Sequence, residues 1–120
     1  MLKNLIIVGA GGMIGTLLRF GVSQLVGKHG FPVATLLINI AGSFVIGIVF
    51  GAGFKNPEFE THWKLFLATG ICGGFTTFSA FSFECLQLLQ QQRFIAAGAY
   101  IFLSIIMGLC ATFGGLQMTK

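Results

Sequence analysis

Gly70-Ile71-Cys72-Gly73-Gly74-Phe75-Thr76-Thr77-Phe78-Ser79-Ala80-Phe81 lies near the middle of a long apolar segment and decides how this chain folds. The apolar flanks favour a helix, whereas the centre resists one. Adjacent glycines lose the most backbone entropy in a helix, and threonines compete for its backbone hydrogen bonds. The sequence therefore predicts a helix broken around residues 73–77. Beyond the break, Phe75, Phe78 and Phe81 recur every third residue and Glu84 extends the row, so all four share one helical face.

The surroundings of this segment are a membrane protein's. Of 120 residues, 55% are hydrophobic and only 8% charged, and the mean hydropathy is +0.91. A soluble domain carries about a quarter charged residues to coat its surface; this chain cannot, so its surface faces lipid. Runs of about 20 apolar residues are long enough to span a bilayer. Such runs cover about residues 5–26, 33–54, 63–89 and 94–116, which predicts an all-α, four-span bundle forming a single domain. The first run is too long and too glycine-rich for the apolar core of a signal peptide. Lys55-Asn56-Pro57-Glu58-Phe59-Glu60 reads as the clearest loop, with Pro57 stopping a helix. Trp63 is expected near a membrane–water interface.

In lipid, a broken helix survives only where its freed N–H and C=O groups find partners. Freed carbonyls can hold a small hard cation such as Na⁺; a glycine-rich kink that lets helices pack closely accounts for the same residues. Gly11 and Gly15, Gly47 and Gly51, and Gly70 and Gly74 stand at the small-xxx-small spacing that brings helices together. Four thin spans enclose a pore poorly, so an oligomer is expected. On one predicted side lie Lys3, Lys55, Lys64 and Lys120, on the other Lys28 and Arg93. So weak a bias permits insertion in both orientations.

Polar residues form stripes on the other spans. Thr35, Asn39 and Ser43 follow at steps of four, as do Tyr100, Ser104, Gly108 and Thr112. Such stripes either bond helices together or offer uncharged donors to a passing anion; the Asn39 amide supplies two N–H groups. Aromatic ring edges, partly positive, serve an anion in the same way. Glu84 is the single acid within a span, where acids are paired or functional. Arg19 either snorkels to the headgroups or raises the anion concentration at a pore mouth. Cys72, Cys85 and Cys110 fall in apolar stretches and read as small hydrophobes. His29 and His62 show no metal-ligand spacing. The seven cations are scattered singly, which excludes a nucleic-acid face, and no nucleophile–base pair suggests an enzyme.

Three motifs together resemble a known family. Gly11-Gly12-x-x-Gly15-x-x-x-Arg19-Phe20, Thr35-Leu36-x-x-Asn39-x-x-Gly42-Ser43-Phe44 and Gly73-Gly74-Phe75-Thr76-Thr77-Phe78-Ser79-Ala80-Phe81 are similar to those of the Fluc fluoride channels, also called the CrcB family. The resemblance covers essentially the whole chain. It implies an antiparallel, dual-topology homodimer in the cell inner membrane, with two fluoride pores. A structural Na⁺ at the dimer interface would be held by the backbone carbonyls of Gly73 and Thr76. Phe78 and Phe81 would face fluoride, with Asn39 in the pore. Thr35, Glu84, Tyr100 and Ser104 would line the polar track, and Arg19 would stand near the aqueous vestibule. Phe20 and Ala80 depart from the family's usual Tyr and Thr, and Gly108 stands where some relatives have a hydroxyl. A proton-coupled small multidrug transporter is the rival of similar length, but the acid it needs in the first span is missing. A membrane scaffold that transports nothing is the other.

Overall fold

A computed structural model describes residues 1–28, 30–52 and 57–119, with Phe59 described through its backbone alone. The regular elements within it are all helical: α1 (Leu2–Val26), α2 (Val33–Gly51), α3 (Pro57–Lys64), a π-helical segment (Leu65–Cys72), α4 (Gly73–Phe75), α5 (Phe78–Gln90) and α6 (Phe94–Met118). Four stretches are long and apolar enough to cross a membrane: Leu2–Val26, Val33–Gly51, Glu60–Gln90 and Phe94–Met118. At 1.5 Å per residue the 25 residues of α1 reach about 37 Å, which spans a hydrocarbon core of about 30 Å with some tilt.

Two expectations need correcting. Pro57 opens a helix rather than closing one, and residues 57–60 belong to α3. A proline costs nothing at a first helical position, because its missing N–H would have no partner there. Acids in the first turn of α3 and His62 and Lys64 in its last suit the helix dipole, and Glu60 pairs with Lys64 at 2.6 Å. The C-terminal part of the predicted second span (residues 53–54), Lys55, Asn56, His29 and Lys120 lie outside the described residues. The break is also narrower than predicted: Gly73–Phe75 stays helical, and only Thr76 and Thr77 are extended, at φ −80°, ψ 157° and φ −150°, ψ 122°.

Glycine decides how the helices pair. α1 lies against the π-helical segment and α4, and α2 against α6. A Cβ on Gly11 would stand 2.5 Å from the Phe66 carbonyl oxygen and 2.9 Å from Gly70 Cα. One on Gly74 would stand 2.5 Å from the Gly12 carbonyl oxygen. Gly47 and Gly115 meet the partner backbones of α6 and α2 in the same way. Backbones this close leave no room for a side chain, which is how membrane helices gain packing contacts without help from water. A core of Cys85, Leu88, Ala97 and Tyr100, flanked by Phe31, Leu36 and Phe81, joins α5 to α6 and α2.

Candidate functional site

The helix break is held from two sides. Asn39, on α2, accepts from the Thr77 N–H at 2.9 Å and donates its Nδ2 to the Thr77 carbonyl at 3.2 Å. Arg19, on α1, donates its Nε to the Gly74 carbonyl at 3.1 Å. Thr76 turns inward along its own chain: its N–H and its hydroxyl both reach the Cys72 carbonyl, at 2.9 and 2.8 Å. Thr77 then caps α5, its hydroxyl accepting from Ala80 N–H at 3.2 Å, as a threonine at an N-cap does.

This arrangement frees particular carbonyls. In an unbroken helix Gly73 C=O would accept from Thr77 N–H and Thr76 C=O from Ala80 N–H. Here the first donor goes to Asn39 and the second to the Thr77 hydroxyl. Gly73 is also exposed on the surface of the chain. Uncharged backbone oxygens are the donors that a hard cation takes, so the chemistry of these two positions fits Na⁺.

Beside the break is a cleft of about 340 Å³. Asn39, Ser43, Thr77, Phe78, Phe81 and Ser104 are among its lining residues. Thus Asn39 and Ser43 of the α2 stripe, Ser104 of the α6 stripe and Phe78 and Phe81 of α5 come together, while Gly108 and Thr112 do not line the cleft. Ser104 Oγ is buried and has no hydrogen-bond partner among the described residues. A buried hydroxyl normally finds one, so this one is left with a donor to offer whatever enters. Asn39 spends one Nδ2 hydrogen on Thr77 and keeps a second.

Aromatic rings connect this cleft to another. Phe78 is 77% exposed, and its ring centroid lies 5.8 Å from that of Phe81. Phe81 in turn lies 5.0 Å from Tyr100. Tyr100 is fully buried and donates its hydroxyl to Glu84 Oε1 at 3.1 Å. Glu84 and Thr35 then line a second cleft of about 480 Å³. So Asn39, Phe78, Phe81 and Ser104 share one cleft, Thr35 and Glu84 share the other, and Tyr100 touches residues of both. Arg19 and Gly73 line neither cleft; they lie at the break. The pair of hydrogen bonds between Asn39 and Thr77 and the π-helical segment leave no signature in the sequence. The second cleft's polar rim leaves only a faint one, Gln24, Gln87 and Gln91 near the ends of apolar runs.

Comparison with known proteins agrees along the full length. The family model for the CrcB-like proteins, described as camphor resistance (CrcB), matches residues 6–116. A "Fluoride-specific ion channel FluC" of Flavobacterium psychrophilum is 43% identical, over 99% of this chain and 98% of the relative. Proteins of the same name are 42% identical in Azobacteroides pseudotrichonymphae, over 100% of this chain and 98% of the relative. In Thermococcus gammatolerans the figure is 36%, over 98% and 97%.

Proposed function

The chain belongs to the CrcB family, and from that membership we propose that it is a fluoride-selective channel for passive fluoride export. It is a multi-pass membrane protein of an ion-channel family, not of an enzyme family. The observation that carries the reading within this chain is Ser104 Oγ, a buried hydroxyl without a partner, in a cleft shared with Asn39, Phe78 and Phe81.

Fluoride is small and tightly hydrated, so loss of water is its main barrier. Asn39 and Ser104 offer uncharged N–H and O–H donors, and the rings of Phe78 and Phe81 offer their positive edges. Such groups replace water without holding the ion as a full charge would. Conduction needs sites that favour entry yet release the ion. Tyr100 and Glu84 continue the polar line toward Thr35. The driving force is the membrane potential. Neutral HF enters and ionises, and a negative interior then expels the anion by about 2.3 kcal/mol per charge per 100 mV. No ATP site is required.

The working unit of this reading is an antiparallel, dual-topology homodimer in the inner (plasma) membrane, with two pores. Its support is the weak Lys and Arg bias, the freed carbonyls and the exposed Phe78 at mid-span. Lipid offers these backbone groups no partner, whereas a cation shared with a second copy of the chain would. The Gly73 and Thr76 carbonyls of each subunit would hold a structural Na⁺. Bound there, it would give the lone pairs of these uncharged carbonyls a partner that lipid does not supply.

The test is anion release from liposomes that contain the purified protein. Rapid loss of fluoride with chloride retained supports the channel. Retention of fluoride at every protein density would favour a scaffold, and proton-coupled cation exchange would favour a multidrug transporter.

A further inference from the structure

The larger cleft runs past Thr35 and Glu84 to the ends of α1 and α5, where Gln24, Lys28, Gln87 and Gln91 line it. Lys28 follows Gly27 just past the end of α1. Gly27 takes φ 74°, a conformation that costs glycine little and other residues more, and its N–H donates to the Ser23 carbonyl at 3.0 Å. Arg93 Nη1 donates to the Gly30 carbonyl, and its guanidinium keeps its charge there. Among the described residues no ion pair joins Lys28 to an acid. The cleft therefore has a cation and three neutral amides near its outer end. At its inner end is one carboxylate, Glu84, which accepts from Tyr100.

We propose that this cleft is an outer anion-capture site, in which Lys28 concentrates fluoride and Gln24, Gln87 and Gln91 take over part of its hydration shell. The inference rests on the channel reading above and adds residues that the pore motifs do not contain. A space of about 480 Å³ accepts the ion with several of its waters, each of which occupies about 30 Å³. Hydration can thus be exchanged stepwise, amide N–H for water O–H, before the ion reaches the Phe81 and Phe78 rings. The cation supplies long-range attraction, which low-dielectric walls concentrate into the cleft. The amides supply donors without a trap, since each carries two N–H groups and no charge.

Salt separates the two contributions. The Debye length is about 30 Å at 0.01 M and about 3 Å at 1 M ionic strength. The attraction of Lys28 therefore acts at low salt and fades at high salt, while the short-range amide bonds persist. A unit charge about 10 Å from the ion in water changes local concentration about two-fold.

The experiment is fluoride efflux from liposomes holding the full-length protein, at both ionic strengths and at sub-saturating fluoride. At low salt, Lys28→Gln is expected to slow efflux about two-fold and Lys28→Glu about two-fold further, with the differences closing at 1 M. Gln87→Leu is expected to slow it at both. Equal rates for wild type, Lys28→Gln and Lys28→Glu at low salt would overturn the proposal. So would a Lys28→Glu defect of the same size at both salts, which would mark a damaged fold instead. If the wild-type protein itself releases no fluoride, the channel reading falls and takes this inference with it. A conducting wild type with unaffected Lys28 variants removes this inference alone.

Discussion

Asn39 grips Thr77 by both backbone atoms, accepting from its N–H at 2.9 Å and donating to its C=O at 3.2 Å across 38 residues of sequence. An interrupted helix in a membrane needs such a partner, because lipid supplies none. One side chain thus holds the break open and keeps a spare N–H for the cleft beside it.

Replacing Asn39 with Leu leaves two backbone groups unpaired. Each buried group without a partner costs about 1–3 kcal/mol, so Asn39→Leu should lower the unfolding midpoint in detergent and cut fluoride efflux at least about tenfold. A variant of wild-type stability would show that the grip on Thr77 contributes nothing.

The row of packed rings makes a different prediction. Phe81 lies 5.0 Å from Tyr100 and 5.8 Å from Phe78, centroid to centroid. Phe81→Ile and Phe78→Ile keep bulk but remove ring edges. Both should slow fluoride efflux several-fold while the protein keeps the wild-type elution volume. Unchanged efflux in both would remove the rings from the pathway.

Helix pairing can be tested with two alanines on one helix. A Cβ on Gly11 would press on the backbone of Phe66 and Gly70, at 2.5 and 2.9 Å, whereas nothing lies within 4 Å of one on Gly9. Overpacking of this kind costs about 1–3 kcal/mol. Gly11→Ala should therefore lower the unfolding midpoint and Gly9→Ala leave it alone. Equal midpoints would contradict the close approach of α1 to the third span.

Sodium should stabilise the protein beyond its effect on ionic strength. Anything that binds only the folded state adds about 1.4 kcal/mol for each tenfold rise above its dissociation constant. The unfolding midpoint should rise when NaCl replaces choline chloride at equal concentration. The same midpoint in both salts would dismiss the cation assigned to the Gly73 and Thr76 carbonyls.

Much of the fold was legible because a bilayer allows few solutions. Long apolar runs had to become helices, and glycines and threonines at 73–77 had to weaken one. The exact break was not legible. Gly73 and Gly74 remain helical because Thr76 still reaches back to the Cys72 carbonyl, twice, a local bond that propensity does not weigh. The role of Pro57 was not legible because a proline can either end a helix or begin one, and only the chain after it decides which. The polar stripes on α2 and α6 were visible from their spacing, but the meeting of Asn39 and Ser43 with Ser104 in one cleft depends on the close approach of the two backbones at Gly47 and Gly115. Partners far apart in sequence, such as Arg19 with Gly74, leave no local signal.

The most direct measurement is the voltage at which current reverses across a bilayer containing this protein, with a fluoride gradient in one direction and a chloride gradient in the other. The account predicts reversal at the fluoride equilibrium potential, whatever the chloride gradient. Reversal that follows chloride, or no protein-dependent current at all, would contradict it.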